Sequence, residues 1–242
     1  MLELLFHFLN YNFIMVKNFF FLFITIFISQ IGCKSGRGPE HNEVKEFEGV
    51  ITFHEIDKTI EGMNIDDTVK VYYANGNYVA FHSERSSKFH IVKDYYFNGN
   101  YPLRLFVDNT SDTLRSLKLD SSFGKLESFR VKKLNEKILS RECETVEFNI
   151  SFDEKGMKTY TNTIFTFSRG YLQINKEHFK NWKLGFFNKF IDESGVYYLK
   201  FKSVQFDSSH TKILSSKSYE AISVSEEKIN PKIFVIDPQK IR

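Results

Sequence analysis

The stretch from Val146 to Asp153, VEFNISFD, alternates strictly between apolar and polar side chains. One side of the stretch carries Val146, Phe148, Ile150 and Phe152, and the other carries Glu147, Asn149, Ser151 and Asp153. Because successive side chains of a β-strand point to opposite faces of the sheet, this pattern predicts a strand with one buried face and one solvated face. Antiparallel sheets commonly have this asymmetry, so the stretch indicates an antiparallel β fold.

Two turn signals lie on the N-terminal side of this strand. Asn75-Gly76 separates the β-rich residues 69–74 from residues 77–83. Such a dipeptide predicts a tight hairpin, because both central positions of the turn require a positive φ. Asn98-Gly99-Asn100 repeats the signal between residues 95–97 and 101–107, where Pro102 favours an edge position for the second strand.

The remaining predicted strands extend the pattern over most of the chain. Near the start, one side carries Phe47, Ile51 and Phe53, and the other carries Glu48, Thr52 and His54. Further strands are predicted at residues 113–119, 126–132, 157–168, 196–206 and 213–225. No shift in composition marks a boundary, so residues 46–242 are predicted to form one β-rich domain.

One aromatic segment has helical spacing instead. Its aromatic residues Phe179, Trp182, Phe186 and Phe190 recur at intervals of three and four. Asn175 is a candidate N-cap and Gly195 lies beyond the end, while Gly185 in the middle favours a short or broken helix. The predicted fold is therefore mostly β: a curved antiparallel sheet with one or two helices packed on its concave face.

The N-terminus has the features of a secretory signal. Lys17 precedes a ten-residue apolar run, Phe19–Ile28, and a small residue, Gly32, follows it. This order predicts a signal peptide at residues 1–32, and Met15 is an alternative true start. The run is shorter than the roughly 20 apolar residues of a spanning helix.

Cys33 follows Gly32 directly, and the pair resembles the lipobox of bacterial lipoproteins. The resemblance implies that Cys33 is lipidated and becomes the first mature residue, with residues 33–45 as a flexible tether. We expect a membrane-anchored protein that faces the periplasm from the outer membrane. The alternative is an uncleaved N-terminal membrane anchor.

Composition excludes several classes of function. The chain has 33 Lys and Arg against 30 Asp and Glu, a net charge of +3, which is no basis for binding nucleic acid. Two cysteines supply neither a disulfide-rich scaffold nor a zinc site built from thiolates.

The order of several segments resembles a known group. These segments are Glu46–Phe53 (EFEGVITF), the turns at Asn75-Gly76 and Asn98-Gly99, and Lys137–Val146 (KILSRECETV). The group consists of uncharacterised bacterial lipoproteins of the GLPGLI type and related domains of unknown function, whose folds resemble the lipoprotein-sorting carriers LolA and LolB. Ile138 and Cys143 match its central motif, where Ser140 and Arg141 replace a Gly-Tyr pair. The resemblance implies a curved half-barrel with a helix in its mouth.

Candidate chemical sites are few. His82 and Glu84 share one strand face and His90 follows, a set that contains zinc-ligand types, but no close ligand spacing joins them. We interpret these residues as polar residues of a strand surface. Cys143 lies between Glu142 and Glu144, which are expected to raise the pKa of its thiol, so it is interpreted as a structural residue.

No catalytic, metal or cofactor site is therefore predicted. We expect a protein that binds a lipid or another apolar ligand, with Phe179, Trp182, Phe186 and Phe190 forming either a lid over the ligand or a plug. The alternative is a structural or protein-interaction module of the cell envelope, and an envelope hydrolase is a third alternative.

Overall fold

The sheet is seen in a computed structural model, which describes residues 45–237 except 61, 63, 84–90, 99–102, 109–112, 121–123 and 155. The predicted signal peptide, Met15, Cys33 and nearly all of the tether lie outside the described residues, as do Glu84 and His90.

Eleven strands make up the described sheet. They are β1 (Gly49–Thr59), β2 (Asn64–Ala74), β3 (Asn77–His82), β4 (Ile91–Phe97), β5 (Leu103–Asp108), β6 (Arg115–Leu117), β7 (Lys125–Ile138), β8 (Arg141–Glu154), β9 (Met157–Phe167), β10 (Lys200–Phe206) and β11 (Ile213–Glu226). The one α-helix among the described residues is α1 (Phe187–Ser194), and 3₁₀ turns span Lys176–Phe179, Leu184–Phe186 and Pro231–Phe234.

All strand pairs are antiparallel, in the order β6-β5-β4-β3-β2-β1-β11-β10-β9-β8-β7. Two meanders therefore meet where β1 pairs with β11. At that seam Thr52 pairs with Ser223 and Phe53 with Ala221, so Ile222 is an extra residue that forms a bulge. A bulge bends a strand and increases its twist, which contributes to curvature where the two halves meet. The predicted mostly-β fold, with a curved antiparallel sheet and one α-helix, is confirmed.

The first predicted hairpin is confirmed. β2 and β3 pair across Asn75 and Gly76, whose φ angles are 48° and 71°. Gly76 has a second reason to be glycine, because an added Cβ would lie 2.3 Å from the His178 ring. The second turn lies partly outside the described residues. Pro102 was expected to place β5 at an edge, but β6 pairs beyond β5 and is itself the edge strand.

The inner face of the sheet carries the core. Val146, Phe148 and Ile150 of β8 are buried at 0–3% exposure, as the alternation of VEFNISFD predicts. β1 and β2 contribute Ile51, Phe53, Val69, Val71 and Tyr73 to the same core. Residues 168–199, which connect β9 to β10, supply the layer that packs on this face, including Phe179, Phe190, Ile191 and Leu199.

Candidate functional site

A cavity of about 420 Å³ lies between the inner face of the sheet and the aromatic segment of residues 182–187. Most of its wall is apolar or aromatic: Phe53, Val69, Val71, Tyr78, Ala80, Ile150, Phe152, Phe165, Trp182, Leu184, Phe186, Phe187, Tyr197, Tyr198, Phe201 and Tyr219. Its polar wall residues are His82, Asp94, Arg104, Thr161, Thr163, Ser203 and Lys217. Ligand sites in proteins have this size and composition, with few polar groups in an apolar wall.

The aromatic segment reaches the cavity because its helix is broken. Gly185 and Phe186 both have left-handed backbone conformations, with φ angles of 62° and 58°, and they interrupt the helical path before α1 begins at Phe187. A bulky residue is strained in this conformation, by about 1–3 kcal/mol. The break predicted at Gly185 is thus confirmed, and it places Leu184, Gly185 and Phe186 on the cavity wall.

The four aromatics predicted as a lid or plug occupy two different environments. Phe179 and Phe190 are 0% exposed and lie in the core, where Phe179 stacks on Tyr96 and Phe190 on Phe165. Trp182 and Phe186 lie on the cavity wall. Two of the four residues therefore anchor the segment, and the other two face the cavity.

Backbone hydrogen bonds fix the two ends of the turn. The Lys183 and Leu184 amides both donate to Leu119 O, at 2.7 and 3.1 Å, and Asn188 N donates to Trp182 O at 2.9 Å. Leu119 follows the edge strand β6, so the segment after β6 fixes the position of the turn through these hydrogen bonds. Residues 184–186 carry no buried side chain and form the least constrained part of the segment.

An ion pair lies on the cavity wall at β4 and β5. Arg104 Nε donates to both Asp94 carboxylate oxygens, at 3.0 and 3.1 Å, and Nη2 donates to Oδ2. The guanidinium also lies over the Trp182 ring, 5.6 Å from its centroid. Burial alone would lower the pKa of Arg104, but the Asp94 charge raises that pKa above its usual value, so the guanidinium is charged.

A second polar network is centred on Glu55, whose side chain is 1% exposed. Its oxygens contact His82 Nδ1 at 3.0 Å, Tyr219 Oη at 2.8 Å and Lys217 Nζ at 2.9 Å. Burial would raise the pKa of Glu55, but the bonds with His82 and Lys217 lower it to about 2. Glu55 is therefore a buried carboxylate that stays charged at neutral pH.

The sequence predicts His82 on a strand surface, and this prediction is wrong. Its side chain is 7% exposed, and its ligand atom lies within 4.8 Å of those of Glu55 and Asp67. These residue types are also metal-ligand types. However, Lys217 already lies on Glu55, and Asp67 accepts hydrogen bonds from the Ser83 amide and hydroxyl and from Thr68 N. These bonds account for the three side chains as a polar network inside the protein.

Tyrosine hydroxyls supply neutral polar groups around the cavity. Burial raises the pKa of Tyr198 to about 12, and it raises the pKa values of Tyr78, Tyr197 and Tyr219 well above their usual value. All four phenols are therefore protonated at neutral pH. They add polar groups but no charge to the cavity, and one of them, Tyr219, already donates to Glu55 at 2.8 Å.

Cys143 is buried, with 4% exposure, and its Sγ donates to Arg141 O at 3.3 Å. Burial is the main cause that raises its thiol pKa, with a contribution from Glu136. The direction of the shift was predicted correctly, but the neighbouring Glu142 and Glu144 were the wrong cause. The thiol does not line the cavity.

The described fold and cavity thus define a class of β protein: an open antiparallel sheet that encloses a partly polar pocket with one helical segment. Among the described residues, no helix is long and apolar enough to cross a membrane. No protein-family model matches the chain, and no curated protein matches it significantly in sequence.

One solved structure is similar to this chain, a LolA superfamily protein from Nitrosomonas europaea. The match has a TM-score of 0.34 and 8% sequence identity, and it covers 79% of this chain and 91% of that one. The fold class rests on the observed sheet and not on this distant match. The GLPGLI-type group that the sequence resembles finds no support in these comparisons.

Proposed function

We propose that this chain is an envelope protein that binds a lipid or another apolar ligand in the cavity on the inner face of its sheet. The observation that carries the proposal is the cavity itself, about 420 Å³ of space under residues 184–186. Packed protein cores have few voids larger than a water molecule, so a space of this size calls for an occupant. The mostly apolar wall favours an occupant that is itself largely apolar.

The proposed entrance is the turn of Leu184, Gly185 and Phe186. Phe179 and Phe190, the fully buried anchors, hold the segment on the sheet, while the turn between them is partly exposed. A segment with few buried contacts opens at a lower free-energy cost than its surroundings. The turn is therefore proposed to act as the lid and the anchors as part of the core.

Trp182 is the single tryptophan of the chain and lies on the cavity wall, so its fluorescence reports on ligand entry. Titration of the purified, delipidated full-length protein with Nile red is expected to change Trp182 emission saturably. Phe186→Ala is expected to weaken probe binding about tenfold, because Phe186 covers the cavity, and to change the free energy of unfolding by less than about 1 kcal/mol.

Phe129→Ala is the matched control, because Phe129 is 42% exposed and does not line the cavity. It is expected to leave probe binding unchanged. Native mass spectrometry of the undelipidated protein should in addition show a co-purifying lipid. No saturable response and no bound lipid would refute ligand binding and favour the alternative, an interaction module of the envelope. A large loss of stability in Phe186→Ala would show that this residue is a plug.

Anchoring through Cys33 is proposed from the sequence alone, from Lys17, the apolar run Phe19–Ile28 and the Gly32-Cys33 pair. Cys33→Ser removes the thiol that would carry the lipid, so this variant is expected to leave the membrane fraction. Cys143→Ser is the control and is expected to stay in the membrane fraction. A Cys33→Ser protein that stays membrane-bound with its signal attached would establish the uncleaved anchor instead.

The proposed role is non-enzymatic: the cavity is proposed to be the binding site of an envelope carrier or receptor. Its charged groups are engaged with neighbouring side chains: Glu55 with His82, Tyr219 and Lys217, and Asp94 with Arg104. This arrangement suits orientation of a bound molecule more than proton transfer or nucleophilic attack. Among the charged groups of the wall, it leaves the Nη1 donors of Arg104 without an acceptor from the described residues.

A further inference from the structure

Arg104 has donors that the protein does not use. A guanidinium carries five N–H groups, and Asp94 accepts from those at Nε and Nη2. Among the described residues, no acceptor bonds Nη1. Arg104 is only 23% exposed and lines the cavity. A largely buried donor needs a partner, so an acceptor atom belongs in the cavity beside Arg104, from water or from a ligand.

The charges around the cavity favour a neutral acceptor. Arg104 is balanced by Asp94, and Lys217 lies 2.9 Å from Glu55 and 3.5 Å from Asp57. The carboxylates of Asp94, Glu55 and Asp57 thus lie beside two cations, Arg104 and Lys217. An anionic group brought to Arg104 would also approach Asp94, and the repulsion would offset much of the attraction. A carbonyl oxygen would gain the hydrogen bonds without that repulsion.

The opposite part of the wall, on β8, β9 and β10, carries no charged side chain among the described residues, and its polar groups are the hydroxyls of Thr161, Thr163 and Ser203. Asp94 and Arg104 lie on β4 and β5, on one side of the seam between β1 and β11. Ile150, Phe152 and Phe165 lie on β8 and β9, on the other side of that seam. The cavity therefore offers a charged hydrogen-bond donor on one side and a mostly hydrocarbon surface, with a few neutral hydroxyls, on the other. This distribution fits an amphiphile with one polar end.

From these three observations we infer that the ligand is a neutral acyl ester or amide, whose carbonyl oxygen accepts hydrogen bonds from Arg104 while its chain lies against β8 and β9. The inference rests on the proposed function and adds the chemical class of the ligand. Asp94 acts as the positioning residue, because it holds the guanidinium and cancels its charge.

The test is displacement of Nile red from the purified full-length protein by three compounds with the same twelve-carbon chain. These are methyl laurate, a neutral ester; laurate, a fatty-acid anion; and dodecane, which has no head group. Methyl laurate is expected to bind at least about tenfold more tightly than the other two. One hydrogen bond to a charged donor is strong enough to produce a difference in affinity of this size. Equal or tighter binding of laurate, or no difference between ester and alkane, would overturn the inference.

Two variants address the role of the ion pair. Arg104→Lys keeps a cation beside Asp94 but replaces the guanidinium fork by a single nitrogen on a shorter head group, which Asp94 engages, so little preference for the ester over the alkane should remain. Asp94→Asn removes the balancing charge and should shift the preference about tenfold towards laurate. Arg169→Lys is the matched control, because Arg169 binds Glu144 with two bonds of 2.9–3.0 Å outside the cavity.

The outcomes separate the two proposals. A protein that binds Nile red and all three compounds without preference keeps the proposed function and refutes the role of Arg104. A protein that binds neither Nile red nor any of the three refutes both. An ester preference that persists in a folded Arg104→Lys protein assigns the acceptor contact to another residue and overturns the inference.

Discussion

Phe148→Ala is expected to lower the free energy of unfolding by about 3–5 kcal/mol, enough to unfold a marginally stable domain. Phe148 is 0% exposed in the middle of β8, where its ring packs against Phe165 and Phe186 at centroid distances of 6.1 and 6.3 Å. The substitution removes the buried ring and leaves a cavity that the rigid sheet cannot fill. Urea denaturation followed by far-ultraviolet circular dichroism measures the loss.

Phe129→Ala is the control for this measurement. Phe129 pairs with Phe148 on the edge strand β7, with ring centroids 5.3 Å apart, but it is 42% exposed. Its removal should cost no more than about 1 kcal/mol, because the ring is largely in water already. Similar losses in both variants would contradict the assignment of Phe148 to the core and of Phe129 to the edge.

The strand that contains Phe148 was predictable because its pattern is local. Strict alternation over eight residues allows one strand register, and Asn75-Gly76 requires a turn that few other conformations satisfy. The break at Gly185 was also predictable from the low helix propensity of glycine. The left-handed conformation of Phe186 was not, because tertiary packing holds a bulky residue there.

The polar residues of the cavity were missed, although a signal for them exists. Ile51 and Phe53 lie on the inner face of β1, and Glu55, two residues further on, must share that face. In the same way Asp94 shares the inner face of β4 with Tyr96. An alternation pattern built only on apolar residues does not place these carboxylates inside. Their partners come from other strands, and no single-sequence pattern gives the strand order that brings β1 beside β11.

Glu55→Gln is expected to lower the free energy of unfolding by about 3–5 kcal/mol at pH 7. The carboxylate is 1% exposed and is the shared partner of His82, Lys217 and Tyr219. A neutral amide loses the charge that Lys217 requires and turns a donor towards other donors. Lys217 is 36% exposed and keeps Asp57 at 3.5 Å, so the main cost is that the donors buried around Glu55, the Tyr219 hydroxyl among them, lose a charged acceptor. Thermal and urea unfolding of the two proteins at pH 7 measure the difference.

The same carboxylate makes that difference depend on pH. The folded-state pKa of Glu55 is about 2, below its ordinary value of 4.5, so its charge stabilises the fold fully above about pH 4.5. That contribution is lost as the pH falls towards 2, and the gap between wild type and Glu55→Gln should shrink over this range. Asp66→Asn is the control, because Asp66 pairs with His54 at 2.8 Å but is 72% exposed, and it should cost less than about 1 kcal/mol. A gap that stays constant from pH 7 to pH 3 would show that the loss in Glu55→Gln comes from packing and not from the buried charge.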